Sequence, residues 1–531
     1  MTQHRTITPA ALQSALHDGH EIALLDVREE GEFGEDHLLF ATPLPYSRLE
    51  LSIGVLVPRK SARIVLCDDG NSGVAQRAAA RLAALGYTNL AVLEGGTRGW
   101  KTAGYGLFKG VNVPSKLFGE LVEHAYNTPR ITARELLSMR ESGEDFALFD
   151  GRPVHEHHKM TIPGSTCCPN AELPYRIASM VKNPQTKIII NCAGRTRSIL
   201  GAQTLINFGI PNPVYALENG TQGWYLADLQ LEYGSPAEYP AAIDMTTLPA
   251  QQQAAQNLMR KFKVRTVTAA DVTGWFRDAD RTTYLCDVRT PEEFFAGSMP
   301  GAQHAPGGQL IQATDQWVGV RNARIVLIDG GEMVRAPVVA SWLLQLGCDV
   351  CVLENGVHAP VTAALPEKPL LPVLPAISPA ELKQLIEHKS CTVFDVGPSM
   401  GYRKAHIPGS RWSIRSRLAR DAAGTKAPIV LIANDADVAG LAATELHDAG
   451  HTDIRLLQGG VSAWDQAGYP LAAATDIPAD RECIDYLFFV HDRHAGNRAA
   501  MQQYLAWETG LMAQLSAQDK SAFHLPTHNN Q

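Results

Sequence analysis

Four aspartates constrain this chain more than any other feature. Each closes a short apolar run: Leu24-Leu25-Asp26, Leu148-Phe149-Asp150, Leu285-Cys286-Asp287 and Val393-Phe394-Asp395. A second apolar run ends 42 positions after the first three, at Asp68, Cys192 and Asp329, and 38 positions after the fourth, at Ala433. A third segment, opening at Leu93, Leu217, Leu353 and Leu457, follows 24 or 25 positions later. Three registers repeated four times mean four copies of one unit. A chain of 531 residues has room for them.

Within each copy, short apolar strands alternate with helical patterns such as Val74 to Leu85 and Val438 to Leu446. That alternation predicts a doubly wound parallel α/β sheet with helices on both faces. The repeats predict domains over 1–110, 125–235, 262–365 and 373–475, followed by a helical C-terminal extension over 476–531. The joints differ in composition. Gly110 to Pro129 holds a helical piece from Ser115 to Tyr126. Pro236 to Phe262 passes from Pro and Ala into Gln, and Pro366 to Pro375 is rich in Pro and Leu. In the extension, Ile484 to Leu515 reads as helix with a break near Ala495-Gly496-Asn497. Its apolar stripes (Tyr486, Leu487, Phe488 and Val490, then Tyr504, Leu505 and Trp507) predict a hairpin packed on a neighbouring domain, with an oligomer contact as the alternative.

The copies differ where the second run ends. The second copy alone ends on a thiol, in Lys187-Ile-Ile-Ile-Asn-Cys192-Ala-Gly-Arg-Thr-Arg-Ser198. A helix is predicted from Ile199 to Phe208, stopped by Gly209. Strand, tight loop and helix N-terminus surround one sulfur with amides and a positive helix end, which favour a thiolate. Gly194 lets the loop turn tightly. Arg195 and Arg197 set two positive charges beside the sulfur. Asp68, Asp329 and Ala433 cannot carry sulfur. Cys67 falls one position early, in register with Asn191, and its neighbours Asp68 and Asp69 oppose a thiolate. Nucleophilic sulfur chemistry is therefore expected in the second copy, with the other three as inactive scaffolds.

Composition excludes several partners. The net charge of −8 leaves no basic footprint for nucleic acid or an anionic membrane. No apolar stretch is long enough for a bilayer, and MTQHRTITPA holds no apolar signal core. Nine scattered cysteines without a regular framework point to free thiols in a reducing compartment, so a cytoplasmic location is expected. His155, His157 and His158 lie on a polar stretch without matching zinc spacing and read as a solvated face. No metal or organic cofactor is expected. Asp150 and Arg152 are expected to form a local charge-assisted hydrogen bond.

The Asp-x-Arg strand end, Ile162-Pro163-Gly164-Ser165, the cysteine loop and Asn219-Gly-Thr-Gln-Gly-Trp224 together resemble rhodanese domains, a sulfurtransferase fold. The resemblance runs to the end of the fourth copy. It implies an active loop at the C-terminal end of a central strand. It also implies a persulfide on Cys192 and a substrate loop of Ala193, Gly194, Arg195, Thr196, Arg197 and Ser198. The implied activity is a thiosulfate sulfurtransferase working by double displacement. The donor is thiosulfate or a similar small molecule; the acceptor is a thiol or cyanide, with a protein acceptor as a further option. Arg195 and Arg197 suit an anionic donor, so their loss is expected to weaken donor binding. Mercaptopyruvate-specific loops of the family carry small uncharged residues after the cysteine, which leaves a 3-mercaptopyruvate sulfurtransferase as an alternative. A persulfide carrier or protein-docking scaffold is another. Phosphatase and arsenate reductase relatives place five residues between cysteine and arginine. Here four separate Cys192 from Arg197, and Ser198 takes the arginine's place. Cys168, Glu172 and Arg176 follow the Ile-Pro-Gly-Ser segment and are expected at the pocket rim, with Cys167 and Cys168 as candidate sulfur acceptors or disulfide partners.

Overall fold

The structure, a computed structural model, describes residues 5–494 and 496–526. Each repeat folds into one five-stranded parallel sheet. In the second copy the strands are Arg130–Ile131, Phe146–Asp150, Thr166–Cys167, Lys187–Asn191 and Val214–Leu217. Their spatial order is first, fifth, fourth, second, third, and the other three sheets repeat it. The run Ile188 to Ile190 is fully buried, as expected of a central strand covered by helices on both faces.

Strand pairing fixes the equivalence of the copies. Asp26 pairs with Cys67, Asp150 with Asn191, Asp287 with Ile328 and Asp395 with Ile432. The next residue in each chain direction is Asp68, Cys192, Asp329 and Ala433. Cys67 is thus a strand residue, pointing its Sγ at the Asp68 carbonyl 3.4 Å away. Burial, followed by the charge of Asp26, pushes its thiol well up.

The Asp-x-Arg pairs brace the strand ends. Arg28, Arg152 and Arg289 each set Nε 2.9–3.0 Å from the near oxygen of their own aspartate. Arg152 also donates to the Met160 carbonyl at 2.6 Å, tying the strand to the following loop. Burial raises the Asp150 carboxyl, but the Arg152 guanidinium and His157 outweigh it and hold the group below the usual range. His157 is not on a solvated face: its Nδ1 lies 3.3 Å from Asp150 and its ring is buried, whereas His155 and His158 are exposed.

The fourth copy has Gly397 where the others have arginine. Burial then pushes Asp395 up to about 6. A raised acid holds its proton in the fold after the unfolded chain has released it. The stability this gives is complete below about pH 4 and is lost as pH climbs through about 6. Asp395→Asn removes that penalty while keeping an acceptor for the Gly397 amide, 2.9 Å from Asp395. The variant should be more stable than wild type by about 2 kcal/mol at pH 8 and no more stable at pH 4. Denaturant unfolding at the two pH values checks this; equal effects at both would show that Asp395 titrates normally.

One continuous core runs through the first three domains and takes in Phe118, Trp342 and Phe523. The fourth domain docks on the first: Arg415 is buried against Glu50 at 2.5 and 2.7 Å and donates to the Tyr46 carbonyl. The first joint holds a helix Val113–Tyr126, here the linker helix. The second holds helix Leu248–Phe262, and 366–375 has neither helix nor strand. In the extension, helix Arg498–Gly510, the cap helix, lies against the linker helix. Of the expected break, Ala495 lies outside the described residues. No helix among the described residues is long and apolar enough to cross a membrane.

Candidate active site

Strand Lys187–Asn191 delivers Cys192 to a loop that enters helix Thr196–Phe208. The helix starts three residues before the expected Ile199, and Gly209 at φ +81° closes it. Cys192 Sγ lies 3.7 Å from Ser198 Oγ, which itself donates to the Arg195 carbonyl at 2.8 Å. The carbonyl side of the loop is pinned from the third repeat segment. Thr221 N donates to Cys192 O at 2.8 Å, and Gln222 Nε2 to Ala193 O at 2.9 Å. Gly220 makes this approach possible: a Cβ there would sit 2.1 Å from Cys192 O, and its φ is +51°.

The amide side is different. Among the described residues, no carbonyl or side chain accepts from the amides of Ala193 to Arg197. The Ser198 amide, expected to face inward with them, donates instead to Arg195 O at 3.1 Å. The first and third copies show what such amides attract. Asp68 accepts from the amides of Gly70 (2.7 Å) and Ala75 (3.0 Å). Asp329 accepts from Gly331 (3.0 Å), Val334 (3.1 Å) and Ala336 (3.2 Å). In both, a carboxylate at the register of Cys192 fills the loop with negative charge.

The two arginines depart from expectation. Arg195 is held by Glu120 (2.7 and 3.0 Å) and Glu123 (2.5 Å) of the linker helix. Arg197 forms a two-pronged pair with Glu156 (2.7 and 2.8 Å). Burial pushes Glu156 up, but Arg197 overrides it and holds the carboxyl at about 2. Neither arginine offers free charge to a donor; both fasten the loop to its surroundings.

The expected rim residues are elsewhere too. Glu172 and Arg176 are buried partners at 2.7 Å, and Glu172 also accepts from Arg335 of the third domain at 3.2 Å. They form a joint between domains. Cys168 is fully buried in the shared core, and Cys167 sits 3.4 Å from the Arg152 carbonyl. Burial, before any charge, pushes both thiols up. Cys348 and Cys351 do stand at Cys-x-x-Cys spacing, against the reading of the cysteines as merely scattered. Burial pushes these two up to about 11 and about 12, and every cysteine is free.

Sequence reasoning missed the residues that close the site. Thr196 Oγ1 donates to Glu508 of the cap helix at 2.7 Å, and Lys116 of the linker helix pairs with the same carboxylate at 3.2 Å. Cys192 is 2% exposed. The one sequence signal was an acidic residue lodged beside the apolar stripe of Tyr504 and Trp507.

Comparison with known proteins finds the same four segments. A crystal structure of a thiosulfate sulfurtransferase from Pseudomonas aeruginosa is similar at TM-score 0.90 and 42% identity, covering 98% of this chain and 100% of that one. An HTH-type transcriptional regulator of Mycobacterium tuberculosis, Rv0324, is 34% identical over 106 residues, 20% of this chain and 46% of that protein. The Synechocystis protein slr1261 is 32% identical over 116 residues, 22% of this chain and 63% of that protein. The chain thus spans less than two thirds of either curated relative. The rhodanese-like domain model matches residues 8–103, 132–227, 268–361 and 378–467, the four sheets described above. With the rhodanese-like domain matched four times over most of its length, the chain belongs to the rhodanese family as a four-domain member.

Proposed function

We propose that the second domain transfers sulfane sulfur from thiosulfate, or a similar small anionic donor, to a thiol or cyanide through a persulfide on Cys192. The carrying observation is the pairing of that thiol with a loop whose amides from Ala193 to Arg197 have no acceptor among the described residues, where two sister loops bind a carboxylate. The Cys192 thiolate attacks the outer sulfur of thiosulfate. The S–S bond of the donor breaks and sulfite leaves with its electron pair. The loop amides then hold the terminal persulfide sulfur, which carries the negative charge. Attack by cyanide or a thiolate on that sulfur yields thiocyanate or a new persulfide and returns Cys192 as thiolate.

Steady-state assay of the full chain against a donor panel tests this. Thiosulfate should give the highest kcat/KM, ahead of 3-mercaptopyruvate, with either cyanide or a small thiol as acceptor. A higher value for 3-mercaptopyruvate would overturn the donor assignment. Persulfide formation without turnover on any acceptor would turn the domain into a carrier.

A further inference from the structure

Glu508 is a carboxylate in an unexpected place. It is fully buried, and it comes from the cap helix, 312 positions from the loop residue it binds. Oε1 receives the Thr196 hydroxyl at 2.7 Å and the Lys116 ammonium at 3.2 Å. Among the described residues Oε2 has no hydrogen-bond partner. That oxygen hangs over the active loop: a Cβ built on Gly194 would lie 3.2 Å from it, with Tyr504 of the cap helix 3.8 Å away. A buried carboxylate oxygen without a partner costs stability, so its position calls for a reason. Burial would raise this acid, but the charge of Lys116, the Thr196 hydroxyl and the charge of Arg493 hold it below the usual range, so it is anionic.

The sister loops supply the comparison. In the first and third copies an aspartate brings one carboxylate into the loop from inside. In the second copy the aspartate is replaced by Cys192, and a carboxylate arrives instead from the cap helix. Lys116, at 11% side-chain exposure, has no acid within ion-pairing distance other than Glu508 among the described residues. Arg195 and Arg197 are already bound by Glu120, Glu123 and Glu156. Lys116 therefore supplies an ammonium whose counter-charge, Glu508, sits directly over the loop, and Arg493 adds positive charge to the same carboxylate.

We propose that Lys116 Nζ and Thr196 Oγ1 form the subsite for the oxyanion end of the sulfur donor, and that Glu508 occupies this subsite in the closed form. A sulfonate-like group presents the same acceptor oxygens as a carboxylate and takes its place at the ammonium and the hydroxyl. Donor entry thus requires the cap helix to withdraw Glu508, and the donor is selected for a negative charge at the end away from the transferred sulfur. This rests on the sulfurtransfer reading for the identity of the donor, but not for the existence of the anion site.

The test uses the full chain and two alkylating probes of similar size, anionic iodoacetate and neutral iodoacetamide, with modification of Cys192 followed by peptide mass spectrometry. In Glu508→Gln the rate ratio of iodoacetate to iodoacetamide should rise about tenfold over wild type, the low end for one charge-assisted hydrogen bond. In Glu508→Gln with Lys116→Met the gain should vanish. KM for thiosulfate should fall in the first variant and rise in the second. If Glu508→Gln speeds both probes equally, the cap helix is a cover and no more, and the subsite is wrong. Should that variant not fold, wild type decides: sulfate, compared with chloride at equal ionic strength, should slow iodoacetamide alkylation of Cys192, and absence of protection overturns the proposal. A raised ratio in a protein that turns over no donor would keep the anion site and sink the sulfurtransfer reading instead.

Discussion

Cys192→Ser protein takes up no sulfur from thiosulfate and turns over at least about a thousandfold more slowly than wild type. Wild type incubated with thiosulfate and no acceptor gains one sulfur atom, which peptide mass spectrometry places on Cys192; cyanide removes it. Position sets Cys192 apart. Cys192 is the residue after the strand position that pairs with Asp150, and the equivalents in the other sheets are Asp68, Asp329 and Ala433. Those side chains cannot be sulfurated. The remaining thiols nearest the site by sequence are buried and pushed up: Cys67 beside Asp26, Cys167 near Asp150, Cys168 near Glu172. A serine hydroxyl at 192 fits the space but forms no persulfide. Turnover by Cys192→Ser, with the extra sulfur found on Cys67, Cys167 or Cys168, would place the chemistry in the wrong residue.

The repeat was legible because its signals are local. Apolar strands ending on an aspartate, and loops of fixed length after them, are written in neighbouring residues, and parallel pairing converts equal spacing into equal register. The cysteine loop was legible for the same reason. Its electrostatics were not. Arg195 looks like a free cation in the loop, yet its partners Glu120 and Glu123 stand 75 and 72 positions upstream, on a joint between domains. Arg197 looks the same, and its partner Glu156 lies 41 positions away on a helix whose neighbouring histidines suggested solvent. Glu172 and Arg176 were placed near the site by their distance from Ile-Pro-Gly-Ser, but Glu172 is shared between Arg176 and Arg335 of the third domain. Glu508 sits on an extension outside the repeat altogether. Side-chain partners brought together by docking of separate domains leave no periodic trace in a single sequence.

Arg197→Ala should act on stability and kcat, not on donor affinity. Arg197 and Glu156 are largely buried, with side-chain exposures of 13% and 28%, and they meet through two bonds. Removing one member of such a pair strands the other, at a cost of about 2–4 kcal/mol for a pair that keeps some access to water. The loop then loses its tether to helix Val154–Lys159, and the amides of Ala193 to Arg197 lose their fixed direction. Preorganised amides matter most when the persulfide charge forms, so the loss appears in kcat. KM for thiosulfate should stay within about twofold, because the guanidinium already faces Glu156 and adds no free charge to the donor. Arg195→Ala should behave alike, by releasing the linker helix from the loop. Replacing both members, Arg197→Met with Glu156→Gln, should recover most of the stability of the single variant. The pH dependence carries the sign of a depressed acid: Glu156 sits at about 2 in the fold, so the pair's contribution is complete above about pH 4 and fades as pH falls toward 2. Thermal unfolding and steady-state kinetics on the same preparations decide the matter. A tenfold rise in KM with unchanged stability would return Arg197 to the donor site and reduce Glu156 to a bystander.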